Sequence, residues 1–167
     1  MFVVLVGPKG SGKSHIGRVL EQKLGVHFFH VEPLWIAYYS QCKAAGHEPT
    51  VPGGISVVHP KIKEAIRTHE HVCIETTGAS PEILADLLSL ASARDTLVAR
   101  INVPLELCLE RINSRDQTHQ IPMDVETVKR VYRLSTAANV HSSLILDNTA
   151  LSEAEIVALF ENALTPR

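Results

Sequence analysis

At 167 residues, 45% hydrophobic and 20% charged, the chain has the size and balance of one domain with a core of its own. Sixteen Lys and Arg against eighteen Asp and Glu leave a net charge of −2, which is poor provision for a groove that tracks nucleic acid. Three scattered cysteines argue against a disulfide scaffold, no apolar run approaches the roughly 20 residues that span a bilayer, and a cytoplasmic setting is expected.

Apolar segments of two kinds alternate along the chain. Phe2–Val6 is a short β-branched run, the mark of a strand buried on both faces. Ser14–Leu24 places Ile16, Val19, Leu20 and Leu24 at helical spacing, and Gly25 stops it. Val26–Val31 reads as a second strand. Gly46–His59, rich in Gly, Pro and Val, reads as an irregular working loop in the long gap that follows. Val72–Ile74 is the third strand and runs into Glu75. Ser80 and Pro81 open a helix over Glu82–Leu90, as N-cap and first-turn proline. Thr96–Val103 is the fourth strand, and Pro104 opens a helix over Leu105–Ile112. Asn113–Pro122 is polar and joins this helix to the next, Asp124–Leu134. Ser143–Leu146 is the fifth strand. Ser152 with Glu155 three residues on is a capping box for a last helix. Strands alternating with helices imply a parallel sheet in a three-layer α/β/α sandwich, here of five strands in a single domain over 1–167.

One motif is specific. Gly7-Pro8-Lys9-Gly10-Ser11-Gly12-Lys13-Ser14 matches G-x-x-x-x-G-K-[ST] in full. Glycines let such a loop turn its backbone N–H groups around a phosphate. The following helix aims its N-terminus at the same anion. Lys13 neutralises charge between phosphates, the Ser14 hydroxyl suits Mg²⁺, and His15 opens the helix beside them. The strand before and the amphipathic helix after are the context the motif requires.

With Leu24-Gly25 and Phe28-Phe29-His30-Val31-Glu32, this segment resembles the opening of small P-loop kinases such as shikimate kinase, gluconate kinase and nucleotide kinase-like ATP-binding proteins. The resemblance spans nearly the whole chain in order and size. It implies a P-loop NTPase fold of nucleoside and nucleotide kinase type, with an acceptor-binding insertion at about 33–71 and a lid at about 112–124. It implies ATP and Mg²⁺ as cofactors and a small-molecule phosphoryl acceptor as partner. By the same likeness Glu32 stands where an acidic residue faces the acceptor, as base or orienting carboxylate. Glu75 takes the place of a Walker-B-like acid holding Mg²⁺ with Ser14. Thr76-Thr77-Gly78 forms the floor of the acceptor site. Arg111 packs on the adenine, Arg115 is a lid arginine, and Asn148 lies where such folds wrap the adenine edge. Arg133, with Arg130 one helical turn before it, offers a second clamp, since guanidinium forks onto phosphate oxygens.

Trp35, Tyr38 and Tyr39 share a helical face within the insertion, where an aromatic ring either stacks on an acceptor or packs the helix. The chain lacks the triple glycine and the substrate arginine of shikimate kinase, and the Asp-Gly-Phe-Pro-Arg pattern of adenylate kinase. A nucleoside, a nucleotide or another hydroxyl compound therefore stays open. So do a non-catalytic ATP-binding module and a polynucleotide 5′-hydroxyl kinase. A GTPase is disfavoured, because Glu75-Thr76-Thr77-Gly78 only faintly mimics its Asp-x-x-Gly and the guanine-reading Asn-Lys-x-Asp is missing. The His27/His30 and His69/His71 pairs lack partners at zinc spacing and read as structural or surface groups.

Overall fold

β1, Phe2–Val6, is the strand around which the rest is arranged. The structure is a computed structural model, and it describes residues 1–114, 121 and 123–164. Every residue of β1 is buried, and its alternation splits the core in two. Val3 and Leu5 face one way and pack with Ile16, Leu20, Ile156 and Phe160. Phe2, Val4 and Val6 face the other way and pack with Val58, Ile62, Leu84 and Leu87. These partners lie on helices: α1 (Lys13–Leu24) and α7 (Glu153–Leu164) on the first face, α3 (Val51–Thr68) and α4 (Pro81–Ser89) on the second. A strand buried on both faces and covered by helices on each is the three-layer sandwich expected.

The remaining strands are β2 (His27–Phe29), β3 (Val72–Thr76), β4 (Thr96–Asn102) and β5 (Leu144–Asp147). The described residues form a parallel sheet in the order β2-β3-β1-β4-β5. Register sets Val6 opposite both Thr76 and Arg100, so β1 and β3 finish level while β4 runs two residues further, to Asn102. The chain leaves β1 toward β2 at one edge and leaves β4 toward β5 at the other, so connections diverge beside β1, the kind of switch point where parallel sheets bind ligands. α5 (Leu105–Asn113) and α6 (Val125–Ala137) follow β4. No described helix is long and apolar enough to cross a membrane.

Two expectations about the insertion need correction. β2 is shorter than Val26–Val31, and Glu32 is not a strand-end residue but the first residue of helix α2 (Glu32–Ala44). Pro33 lies in that helix's first turn, where its missing N–H costs nothing. The greater part of Gly46–His59 is not an irregular loop, because α3 begins at Val51. Thr50 caps α3, its hydroxyl accepting from the Gly53 N–H at 3.2 Å, with Pro52 in the first turn. Gly53 and Gly54 stand there for space: the Trp35 ring of α2 occupies the room a Cβ on Gly54 would need. The insertion is thus a pair of helices locked by an aromatic residue against a glycine.

Candidate active site

The phosphate loop leaves β1 at Gly7 and becomes α1 at Lys13. Gly10 and Gly12 hold φ at 85° and 91°, in the left-handed region that glycine adopts without strain. A side chain at Gly10 would also run into α5, with its Cβ 2.9 Å from the Cys108 Cα. Gly12 is the N-cap of α1, and among the described residues no side chain caps that end. The first N–H groups of α1 therefore face the loop, as anion binding requires. Lys13 is buried, its Nζ donating to the carbonyls of Gly7 at 2.8 Å and Pro8 at 2.9 Å. The ammonium is thus held directly against the loop backbone.

β3 delivers Glu75 to the same place. The Ser14 hydroxyl lies 2.9 and 3.1 Å from the two Glu75 carboxylate oxygens, so the motif serine and the strand-end acid meet directly. His30 Nε2 lies 3.2 Å from Glu75 Oε1, an electrostatic contact rather than an aligned hydrogen bond. Burial pushes the Glu75 carboxyl up. Together His30, Lys13 and Ser14 outweigh it, and its pKa settles below the ordinary 4.5. Glu75 is accordingly an ionised carboxylate at neutral pH. Ser14 and Glu75 present hard oxygen donors side by side, a pair that fits Mg²⁺.

These groups open into a cavity of about 240 Å³. Lys9, Lys13, Ser14, Glu32, Trp35 and Glu75 all line it, as do Gly10 and Gly12. Glu32 does so from the N-terminus of α2. It accepts from the Ile121 N–H at 2.9 Å, while Lys9 Nζ donates to the Ile121 carbonyl at 2.7 Å and lies 3.6 Å from Glu32. Both backbone groups of Ile121 are thereby gripped, one by the phosphate loop and one by α2.

On the other side of the loop, Asn148 follows β5 and is buried, its Nδ2 donating to the Ser11 carbonyl at 2.8 Å. Arg111 donates from Nη2 to the carbonyls of Asn148 at 3.0 Å and Thr149 at 3.1 Å. Its Nη1 is buried and has no hydrogen-bond partner among the described residues. Arg111 and Asn148 thus share one edge of the loop, apart from the cavity.

His15 is exposed at the start of α1. Gly78, at φ 66°, turns the chain after β3, where a Cβ would come 2.6 Å from Val6 Cγ1. Arg133 is exposed on α6 and is not among the residues that line the cavity. Arg115 lies outside the described residues. Sequence reasoning missed Val31, Ile121 and Met123 as cavity walls; apolar Ile121 and Met123 beside a polar stretch were the available signal. It also missed Ser135, buried on α6, whose hydroxyl donates to the Thr77 carbonyl at 2.6 Å and ties that helix to the cavity floor.

A glycine-rich loop between a central strand and a helix, with a serine meeting an acid from the neighbouring strand, defines a P-loop protein with the fold of the small kinases. A family model described as an AAA domain matches residues 2–133, and the chain belongs to that family. Solved structures agree on the fold. The chain is 20% identical to a gluconokinase from Sinorhizobium meliloti 1021, with a TM-score of 0.65, covering 96% of this chain and 90% of that one. It is 21% identical to shikimate kinase from Aquifex aeolicus vf5, with a TM-score of 0.56 over 99% of this chain and 100% of that one. A deoxyadenosine kinase from M. mycoides with bound dATP is 17% identical, with a TM-score of 0.60 and 98% and 99% of the two chains covered. The comparison with curated proteins found no significant match.

Proposed function

We propose that this domain is an ATP-dependent phosphotransferase acting on a small molecule. The observation that carries the reading is the direct meeting of Ser14 and Glu75, at 2.9 Å, in a cavity that runs from the phosphate loop to Glu32 and Trp35. Its volume of about 240 Å³ falls below the ~300 Å³ at which drug-sized sites begin, which suits a small acceptor and not a polymer end. The kinases among the fold's relatives support the same reading.

In this mechanism the loop N–H groups and the α1 terminus bind the phosphates of ATP. Ser14 and Glu75 would hold Mg²⁺, which when bound shields charge on the transferring phosphoryl group. Lys13 exchanges its contacts with the Gly7 and Pro8 carbonyls for phosphate oxygens. Glu32 accepts the proton of the acceptor hydroxyl as that oxygen bonds to the γ-phosphorus. The bond from the γ-phosphorus to the bridging oxygen breaks, and ADP keeps the electron pair. Arg115 is assigned to the lid and Arg111 with Asn148 to the adenine side. Lys9 is assigned to closing the cavity over the acceptor, so that water is kept from the phosphoryl group.

Lys13→Ala tests the reading. Acceptor-dependent ADP release should fall by at least about a hundredfold, as when a positioned charge is removed from a transition state. The unfolding transition should remain cooperative. Undiminished turnover in this variant rules out the proposed site. Nucleotide binding without any acceptor-dependent release in the wild type marks the domain as a non-catalytic ATP-binding module.

A further inference from the structure

The cavity walls divide by chemistry. One set belongs to the phosphate loop and its carboxylate: Lys13, Ser14 and Glu75. The rest sets four apolar side chains, Val31, Trp35, Ile121 and Met123, beside the hydroxyl-bearing Thr76 and Thr77. Charge on this second set is set by Glu32 and Lys9. Lys9 is committed, donating to the Ile121 carbonyl at 2.7 Å and lying 3.6 Å from Glu32. Among the described residues no arginine lines the cavity. Recognition of a buried carboxylate or phosphate calls for forked, charge-assisted donors, and an anion placed here would face Glu32 with no such donor among the described residues that line the cavity. An aromatic ring and a thioether offer instead a polarisable wall for a flat ring, while Glu32 suits a hydroxyl donor.

We propose that the acceptor is an uncharged alcohol carrying a flat, unsaturated ring, and not a nucleotide or a sugar acid. This rests on reading the cavity as a phosphotransferase site. It narrows that reading from any small acceptor to one chemical class, and it assigns discrimination to the Glu32–Lys9 pair and the wall of Trp35 and Met123.

Trp35 is the one tryptophan of the chain, so its emission reports occupancy of the cavity without any turnover. The experiment titrates matched pairs into the intact protein with ADP present: a nucleoside against its 5′-monophosphate, and a neutral cyclic alcohol against its carboxylate analogue. The uncharged member of each pair should perturb Trp35 at a concentration at least about tenfold lower, and the nucleoside more strongly than a saturated alcohol. Met123→Lys adds a cation to the same wall at a position 38% exposed, where folding tolerates it. It should swing the preference toward the charged member. Equal or tighter binding of the anions by the wild type overturns the proposal. So does a failure of every neutral compound to perturb Trp35, or an unchanged preference in Met123→Lys. ADP release, measured on the same mixtures, separates the two readings. Selective binding without release refutes the phosphotransferase and leaves the ligand class standing. Release without selectivity does the reverse.

Discussion

Gly54→Ala adds one methyl group at the contact between the two insertion helices, and two opposing effects decide its sign. The new Cβ would lie 2.5 Å from Trp35 Cε3 and nearer still to Cζ3 and Cη2. Carbon atoms in contact prefer about 3.5–4.0 Å, so the ring must retreat by roughly 1 Å or more. It has little room, because Tyr38 and Tyr39 sit with ring centroids 6.2 and 5.9 Å away. Overpacking of this kind costs about 1–3 kcal/mol. Against it stands the gain from replacing a helical glycine, about 0.5–1 kcal/mol. The net should be a loss of up to about 2.5 kcal/mol, or a drop in Tm of up to about 10 °C for a domain of this size. Thermal unfolding followed by circular dichroism measures it, and the native emission of Trp35 should shift as the ring moves. Acceptor affinity should fall while ADP affinity holds, since the ring touches the cavity and not the phosphate loop. A rise in Tm, with emission unchanged, would mean that helix propensity alone governs the position and that α2 and α3 do not meet as described.

Glu75 supplies a pH test. Its carboxyl sits below the ordinary 4.5, so the ionised form is favoured by folding. The stability it contributes is full above pH ~4.5 and is lost as pH falls through the lower folded value. Glu75→Gln should therefore lose less Tm than the wild type between pH 5 and pH 3 on the same scan; parallel curves would refute the assignment. The cysteines give a second test. Burial pushes the Cys73 thiol well above its usual range, and Cys108 is buried too, while Cys42 is half-buried. A thiol reagent at neutral pH should modify Cys42 alone in the folded protein, and Cys42→Ser should abolish the reaction until denaturant is added. Rapid labelling of a second thiol in the native state would contradict the packing.

The legibility of the chain follows from how local its signals are. β1, the phosphate loop and α1 could be read because strand, glycines and amphipathic helix are each written in consecutive residues. Capping residues made α4 and α7 equally plain: the Ser80 hydroxyl accepts from the Ile83 N–H, and the Ser152 hydroxyl from the Glu155 N–H. The first turns of α3 were misread because Pro52, Gly53 and Gly54 look like loop residues one at a time. What the two glycines make room for, Tyr38 and Trp35, comes from another helix. The meeting of Ser14 with Glu75 could be foreseen from the motif and the strand end. The contact of Glu32 with Ile121 could not, because no local pattern relates residues 89 positions apart. Placing Trp35 in the cavity was half legible: helical spacing put it with Tyr38 and Tyr39, but only packing shows it both bracing α3 and lining the site.

The central position of β1 also bears on how the chain comes together. Phe2 pairs with Val72 on one side and Thr96 on the other. The most apolar segment of the molecule is thus made 70 residues before its nearer partner strand begins. At about 5–20 residues per second, that is a wait of about 4–14 s during synthesis. Through that interval a strand built to be paired along both edges has no strand to pair with, and only helices such as α1 can cover it. Such a segment invites association with other chains or capture by a chaperone. The feature that centres the phosphate loop in the finished sheet is therefore also the hazard of its assembly, and refolding yield should fall with protein concentration more steeply than stability alone would dictate.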